Sequence, residues 1–181
     1  IISQWKMNTP NDPNTAVREH TKKIITFDSD IGPGGLEIDF TDSISTKFYI
    51  GGHDIYEIQK YNYDSGIEGM TRDSVWNYSL DSSSANIPIA GITGMSFADS
   101  NGRLNVSSTN RIFQINLDDT LLHNSTVDSN SYGVASPASA EAHGISWWPG
   151  GDKFNITGRT SSANSTVQTF ETKNSYSVKS V

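Results

Sequence analysis

The sequence predicts an all-β protein of propeller-like architecture, with about three four-stranded antiparallel blades that could be part of a larger propeller. Three observations predict it. A strand–turn–strand pattern occurs three times, its third strand recurs at near-constant spacing, and the composition favours turns and wet strand faces over helices. Hydrophobic residues make up 34% of the 181 residues and charged residues 18%. Ser, Thr, Asn, Asp and Gly take up the difference. They serve turns and solvated strand faces and are poor helix fillers. Aromatic residues at 10% still provide a core, spread over several small sheets.

The strand pairs come first, because internal repeats decide the architecture. The first pair is Leu36-Glu37-Ile38-Asp39-Phe40 with Lys47-Phe48-Tyr49-Ile50-Gly51. The second is Gly94-Met95-Ser96-Phe97 with Arg103-Leu104-Asn105-Val106-Ser107, and the third is Gly144-Ile145-Ser146-Trp147 with Lys153-Phe154-Asn155-Ile156-Thr157. Each holds an apolar–polar–aromatic triplet, a turn, and then base–apolar–x–apolar. Asn101-Gly102 and Gly150-Gly151 in two of the linkers supply the positive φ angles of tight hairpins. The first linker, Thr41 to Thr46, is one residue longer and lacks Gly.

A third strand follows each pair: Ile55 to Ile58, Ile112 to Ile115 and Val167 to Phe170, with Ile2 to Trp5 as an orphaned copy. The anchors Ile2, Ile55, Ile112 and Val167 stand 53, 57 and 55 residues apart, a period that fits propeller repeats. A more polar strand is expected before each pair, at Lys22 to Phe27, Ser74 to Leu80 and Ser131 to Val134, and Tyr176-Ser177-Val178 could begin another. Thr15 to Lys23 reads as a turn, its apolar spacing being too thin for an amphipathic helix. The expected organisation is an orphan strand and linker at 1–19, blades at 20–72, 73–125 and 126–175, and the start of a further strand at 176–181. Three and a half units do not close a ring of four to eight blades. The chain is therefore expected to be processed, part of a longer polypeptide, or closed by other subunits; it opens on Ile1 rather than Met.

Charge and residue types exclude several functions. The net charge of −7 and pI near 4.9 argue against nucleic acid, which demands clustered Lys and Arg. With no cysteine there is no disulfide, zinc thiolate or Cys nucleophile. No apolar run approaches the roughly 18 residues of a membrane span, and no signal peptide is recognisable.

Candidate chemistry is sparse, and no catalytic residue is assigned. Of His20, His53, His123 and His143, none lies within four residues of another, so no local metal spacing exists and no metal ligand is assigned. Asp99-Ser100-Asn101-Gly102 resembles the start of a calcium loop, but the sixth and twelfth positions are Leu104 and Asn110, where Gly and Glu are needed; the turn reading wins. Asp28-Ser29-Asp30 before Gly32-Pro33-Gly34-Gly35 is the better oxygen-rich loop, a place calcium could occupy although no cofactor is required. Glu37 and Asp39 share a strand face; a glycosidase would need one of them shielded, and the simpler reading is the wet face opposite a core face. There is neither a Gly-x-Ser-x-Gly elbow nor a phosphate loop. Trp76, Trp147 and Trp148 could stack on sugars if exposed. Trp147 aligns with Phe40 and Phe97 and belongs to the core, so Trp148, pointing the opposite way, is the candidate binding residue. Five Asn-x-Ser/Thr sequons (at Asn77, Asn105, Asn124, Asn155 and Asn164) matter only in a host that glycosylates.

The order Gly-Ile-Ser-aromatic, turn, Lys-Phe-x-Ile, then Ile-Tyr-Glu-Ile resembles the propeller-type repeats of phage tail fibres and related virion proteins. Those carry a Gly-Ile-x-Phe-Ser-Pro-Asp-Gly-Thr-Lys-Met-Tyr-Val pattern, to whose turn Trp148-Pro149-Gly150-Gly151-Asp152-Lys153 is the nearest match here. Asn8-Thr9-Pro10-Asn11-Asp12 resembles the connection after their third strand. The resemblance covers most of the chain and departs from the pattern in the first turn and in the polar stretch Ser129 to Glu141. It implies a non-enzymatic structural or adsorption component of a virion, a tail-fibre or spike module that displays loops to a host receptor. Implied partners are further copies of itself, other virion proteins and a host surface glycan or receptor, and the implied location is virion or extracellular. The alternative is a secreted or cell-surface propeller that binds carbohydrate without a virion. A third reading, an enzyme with propeller-borne carboxylates, predicts hydrolysis that Glu37→Gln abolishes.

Overall fold

The computed structural model describes residues 2–22, 33–39, 46–52, 57–63, 66–77, 91–97, 103–108, 111–118, 120–127, 132–133, 141–148, 153–160, 164–173 and 177–180. Among them the protein is all-β, in four antiparallel sheets. Sheet I pairs β1 (Ile2–Met7) with β2 (Ala16–Lys22). Sheet II is a meander of β3 (Pro33–Asp39), β4 (Lys47–Gly52), β5 (Glu57–Asn62) and β6 (Thr71–Asn77). Sheet III holds β7 (Gly94–Phe97), β8 (Arg103–Ser108) and β9 (Arg111–Asn116), flanked by the short β10 (Thr126–Val127) and β11 (Tyr132–Gly133). Both pair with β9, whose other side is taken by β8, so they act as one interrupted fourth strand. Sheet IV runs β12 (Glu141–Trp147), β13 (Lys153–Thr160), β14 (Asn164–Lys173) and β15 (Ser177–Ser180). No helix of the described residues is long and apolar enough to cross a membrane.

The strand pairs lie where the sequence places them, in register Leu36↔Ile50, Met95↔Val106 and Ile145↔Ile156. Aromatic and β-branched residues fill the second strands because they fit a pleated, half-buried surface. Three expectations are corrected. Ala16–Lys22 is a strand rather than a turn, held by β1 through Ile2↔Lys22 and Met7↔Ala16. The polar strand does not precede each pair; it closes the sheet before it, with Thr71–Asn77 on β5, Tyr132–Gly133 on β9 and Ser177–Ser180 on β14. Of Lys22 to Phe27 only Lys22 is described, and it ends β2. The third strand of the first pair starts at Glu57, so Ile58, opposite Gly51, takes the place of Ile112 opposite Ser107 and Val167 opposite Thr157. Ile2, Ile58, Ile112 and Val167 then stand 56, 54 and 55 residues apart, a tighter period than the one anchored on Ile55.

The connections between third and fourth strands repeat too. In sheets I, II and III this connection holds one short helical turn: Pro13–Thr15, α1 (Gly66–Gly69) and Leu122–Asn124. Asp12 caps the first by accepting from the Asn14 N–H at 3.0 Å, and Asn11 takes φ 63°, which Asn tolerates in tight turns. In the other two, Ile67 and Leu122 point into the core. Lys22 Nζ donates to the Glu68 and Met70 carbonyls at the end of α1, tying sheet I to sheet II.

The core lies between sheets rather than within one. Cross-strand partners share a face, so register sorts the side chains. Phe48, Ile50 and Tyr61 of sheet II meet Ile2 of sheet I, with Ile67 and Met70. Tyr49, Ile58 and Trp76, on the other face of sheet II, meet Met95, Leu104, Val106, Phe113 and Ile115 of sheet III. Ile112, on the far face of sheet III, meets Ile145, Phe154, Ile156 and Phe170 of sheet IV. The sheets thus stack in chain order. The linker at 91–93 joins II to III by Ile92 N–H to Gly52 O (3.0 Å) and Thr93 N–H to Ser107 O (2.8 Å).

Candidate binding site at Trp148

Alternation along sheet IV turns Ile145, Trp147, Phe154, Ile156 and Phe170 toward sheet III. Ser146, Asn155, Thr157, Val167 and Thr169 therefore take the opposite, outward face. Trp148 follows β12 directly and closes its hairpin, its N–H donating to Lys153 O at 2.9 Å. Its indole is half exposed. Lys153 Nζ lies 6.0 Å from the centre of the ring and 2.9 Å from Glu171 Oε1. The ammonium thus bridges the ring face to a carboxylate on the neighbouring strand. At this exposure the cation–π contact is worth about 0.5–1 kcal/mol. Alongside, Thr169 Oγ1 donates to Asn155 Oδ1 at 2.8 Å.

The arrangement offers an accessible indole beside Lys153, with Glu171, Asn155 and Thr169 on the same face of β13 and β14. An indole is a flat apolar surface on which the C–H face of a sugar or a peptide side chain can lie. Lys153, Glu171, Asn155 and Thr169 could then meet hydroxyls or amides. The alternation from Trp147 leads to Trp148 in the sequence. Lys153 and Glu171 are missed as its companions, because only the β13–β14 register brings them together, through the pair Lys153↔Glu171.

The other aromatic candidates are structural. Trp76 is buried between sheets II and III. Trp147 packs against the core between sheets III and IV, its ring 4.7 Å from that of Phe154. Register places Ile38 opposite Phe48 as Trp147 lies opposite Phe154, so Ile38 and not Phe40 is the counterpart of Trp147; Phe40 lies outside the described residues.

Glu37 is not on a wet face. It is half-buried where sheets II and III meet, and Oε1 accepts the Phe97 N–H at 3.3 Å. Burial pushes its carboxyl above the usual range, the Phe97 N–H opposes this, and the nearby Asp39 charge adds to it. Such an acid holds a proton better than an exposed one, but its oxygen is engaged by backbone, as suits a strut between sheets.

The remaining candidates are scattered. His20 Nδ1 lies 2.9 Å from Glu68 Oε1 at the surface, His123 sits on the turn after β9, and His143 is exposed on β12. His53, Asp28-Ser29-Asp30 and Asp99 to Gly102 lie outside the described residues. Among those described, no three His, Asp or Glu side chains are grouped to hold a metal ion. Asp118 accepts the Leu121 and Thr120 N–H groups at 2.8 and 3.0 Å, which hold its carboxyl below the usual range as a turn cap. Of the sequon asparagines, Asn105 is buried between sheets III and IV and out of reach of glycosylation in the folded chain. No family model matches the chain, and neither does any curated protein.

Proposed function

We propose that this chain is a non-enzymatic attachment module: its stacked sheets are blades of a propeller-like structural component of a virion, and its loops are displayed toward a receptor on a host surface. The half-exposed Trp148, pinned by Lys153 and Glu171 at the edge of a rigid sheet, is the observation that carries the binding role. Trp148 directly follows β12 and its companions lie on paired strands, which lowers the ordering cost on binding. The virion assignment is supported by the resemblance of the repeats to those of tail fibres. The receptor chemistry that suits the site is a glycan, because an indole flanked by amide, hydroxyl and charged groups matches a sugar's apolar face and hydroxyl rim. Further copies of the chain and other virion proteins are the structural partners in this reading. The binding is passive, with no step of bond making or breaking.

The second reading, a secreted or cell-surface module that binds carbohydrate, is favoured by the same Trp148 site, since nothing in that geometry requires a particle. A glycan array probed with wild type and with Trp148→Ala tests the binding role. Loss of the tryptophan should weaken the strongest glycan signal by roughly tenfold or more, as for a central aromatic anchor. Retention of all signals by Trp148→Ala would overturn it. Finding the chain by mass spectrometry in particles purified from its source selects the first reading, and finding it only in soluble or cell-envelope fractions selects the second.

A further inference from the structure

We propose that the outward face of sheet IV docks the β1–β2 hairpin of a second copy of this chain, so that copies join head to tail. Inside the chain the same junction is made three times. At each, the anchor of a third strand is covered by a bulky residue three positions past the anchor on the next sheet. Ile2 shares a core cluster with Tyr61, Ile58 with Ile115, and Ile112 with Phe170. The anchors Ile58 and Ile112 are 0% and 2% exposed. Val167, at the same register position in sheet IV, is 68% exposed.

The rest of that face follows suit. Ser146, Asn155 and Thr157 of sheet IV match Ser96, Asn105 and Ser107 of sheet III by register, and the latter three are buried under sheet IV. The glycines match as well. A Cβ on Gly35 would meet Met95 Cγ of the next sheet at 2.6 Å, and one on Gly94 would meet Gly144 Cα of the next sheet at 2.7 Å. Gly144 holds the third such position, yet among the described residues a Cβ there would meet only Thr157 Oγ1 of its own sheet. Sheet IV thus carries the close-approach glycine with no sheet of the described residues upon it.

The complementary half lies at the other end of the stack. Trp5 is three positions past Ile2, as Tyr61, Ile115 and Phe170 are past their anchors. Those three are 5%, 0% and 5% exposed, whereas Trp5 is 59% exposed, with Met7 beside it on the same face. An exposed tryptophan on one end and an exposed aliphatic anchor on the other continue the existing series of interfaces by one step, Trp5 of one copy over Val167 of the next. The contact is heterologous, so it propagates into a ring or a filament rather than stopping at a symmetric pair. The β1–β2 hairpin holds only the third and fourth strand positions and covers β14 and β15. Trp148 itself lies beyond β12, outside the covered strands, whereas Thr169 and Glu171 on β14 belong to both surfaces; Val167→Lys and Trp5→Asp therefore report docking and Trp148→Ala reports the indole.

Sedimentation velocity on the chain over a concentration series tests this. Wild type is expected to exceed its 19.8 kDa monomer mass as concentration rises. Val167→Lys and Trp5→Asp should each return a folded monomer, with far-UV circular dichroism unchanged because both positions are exposed. Thr157→Arg, beside Val167 across the β13–β14 pair and so at the margin of the covered strands, repeats the test with a second variant. Each single variant keeps one intact end, so mixing Val167→Lys with Trp5→Asp should restore a species of two chains, while Trp148→Ala should leave assembly unaltered. A wild type that stays monomeric up to about 1 mM, the weakest association of consequence, would overturn the proposal and assign the face to a different occupant, such as a further sheet of the same type. So would assembly that survives both single variants, or a mixture that remains two monomers.

Discussion

Lys60 Nζ lies 3.0 Å from Asp73 Oδ2, an ion pair whose ammonium is almost wholly buried and whose carboxylate is about one-third exposed. Asp73 is the extra residue of a bulge, since Lys60 pairs with Ser74 and Tyr61 with Arg72. Sheet I bulges at the matching place, where Glu19 is the extra residue and pairs with Lys6 at 3.6 Å. Bulges re-aim side chains, and here the repeat uses one to bring an acid to a lysine.

The hydrogen bond from Lys60 holds the Asp73 carboxyl below its ordinary 3.8, against the opposing effect of burial. A carboxyl lowered in the folded state contributes stability above the unfolded value and loses it as pH falls through the folded value. Asp73→Asn should therefore cost about 1–3 kcal/mol at pH 7, less than a fully buried pair because the carboxylate is partly in solvent. The difference from wild type should shrink toward zero in acid. Urea unfolding at pH 7, 5 and 3 checks it; a gap that does not vary with pH counts against the pair.

Glu37 has the opposite sign. Its carboxyl is raised by burial, so the folded state holds the proton more tightly than the unfolded chain, and the stability tied to that proton is lost as pH rises through the folded value. Glu37→Gln keeps an acceptor for the Phe97 N–H and removes the charge. It should be at least as stable as wild type at pH 8 and lose that advantage below about pH 4, the ordinary carboxylate range. Glu37→Leu removes the acceptor as well and should cost about 1–3 kcal/mol for the stranded N–H. Thermal unfolding of the three proteins at pH 8 and pH 4 separates the effects.

These two carboxylates show what the sequence could carry. Alternation placed Glu37 opposite the face of Ile38 and Leu36, and that was legible. Whether that other face is wet depends on a neighbouring sheet, which alternation in one strand cannot report. The strand pairs were readable because their turns and apolar registers are local. The phase of the repeat was not: a tandem series of four strands looks the same whichever strand is counted first, and only the hydrogen bonds of Thr71–Asn77 to β5 decide it. Ile55 and Ile58 both suit an anchor, and only pairing with Gly51 selects the second. Ala16–Lys22 escaped as a strand because it is wet along most of its length and so shows no alternation. At the candidate site, Trp148 was legible from Trp147, while its companions needed the β13–β14 register.

Leu36, Met95 and Ile145 hold one register position in three sheets, yet Leu36 is 44% exposed and the others are buried. Among the described residues sheet I has two strands, in the third and fourth positions, and leaves Leu36 on β3 exposed. Met95→Ala and Ile145→Ala should each cost about 2–5 kcal/mol, since the transfer and cavity contributions add. Leu36→Ala should cost under about 1 kcal/mol, as an exposed substitution does. Equal costs at the three positions, measured by urea unfolding, would mean that β3 is covered in solution.

Gly94 and Gly144 test how closely the sheets approach. A Cβ on Gly94 would sit 2.7 Å from Gly144 Cα and 2.9 Å from Ile145 N, both backbone atoms of the next sheet that cannot turn aside. It would also meet Ser107 Oγ at 2.8 Å. Gly94→Ala must therefore push sheets III and IV apart, at a cost of about 1–3 kcal/mol as for other overpacked cores. The displacement also weakens the packing of Ile112 against Ile145 and Phe154, because dispersion falls steeply with a gap of under one ångström. Among the described residues a methyl added at Gly144 meets only the Thr157 hydroxyl, which can rotate away. Gly144→Ala should therefore leave the unfolding temperature of the monomer within a few degrees of wild type, the shift expected for a cost below about 1 kcal/mol. The pair is informative because the chemical change is identical: a large loss at Gly94 with little at Gly144 locates the strain between sheets, and equal losses would place it within the strands themselves.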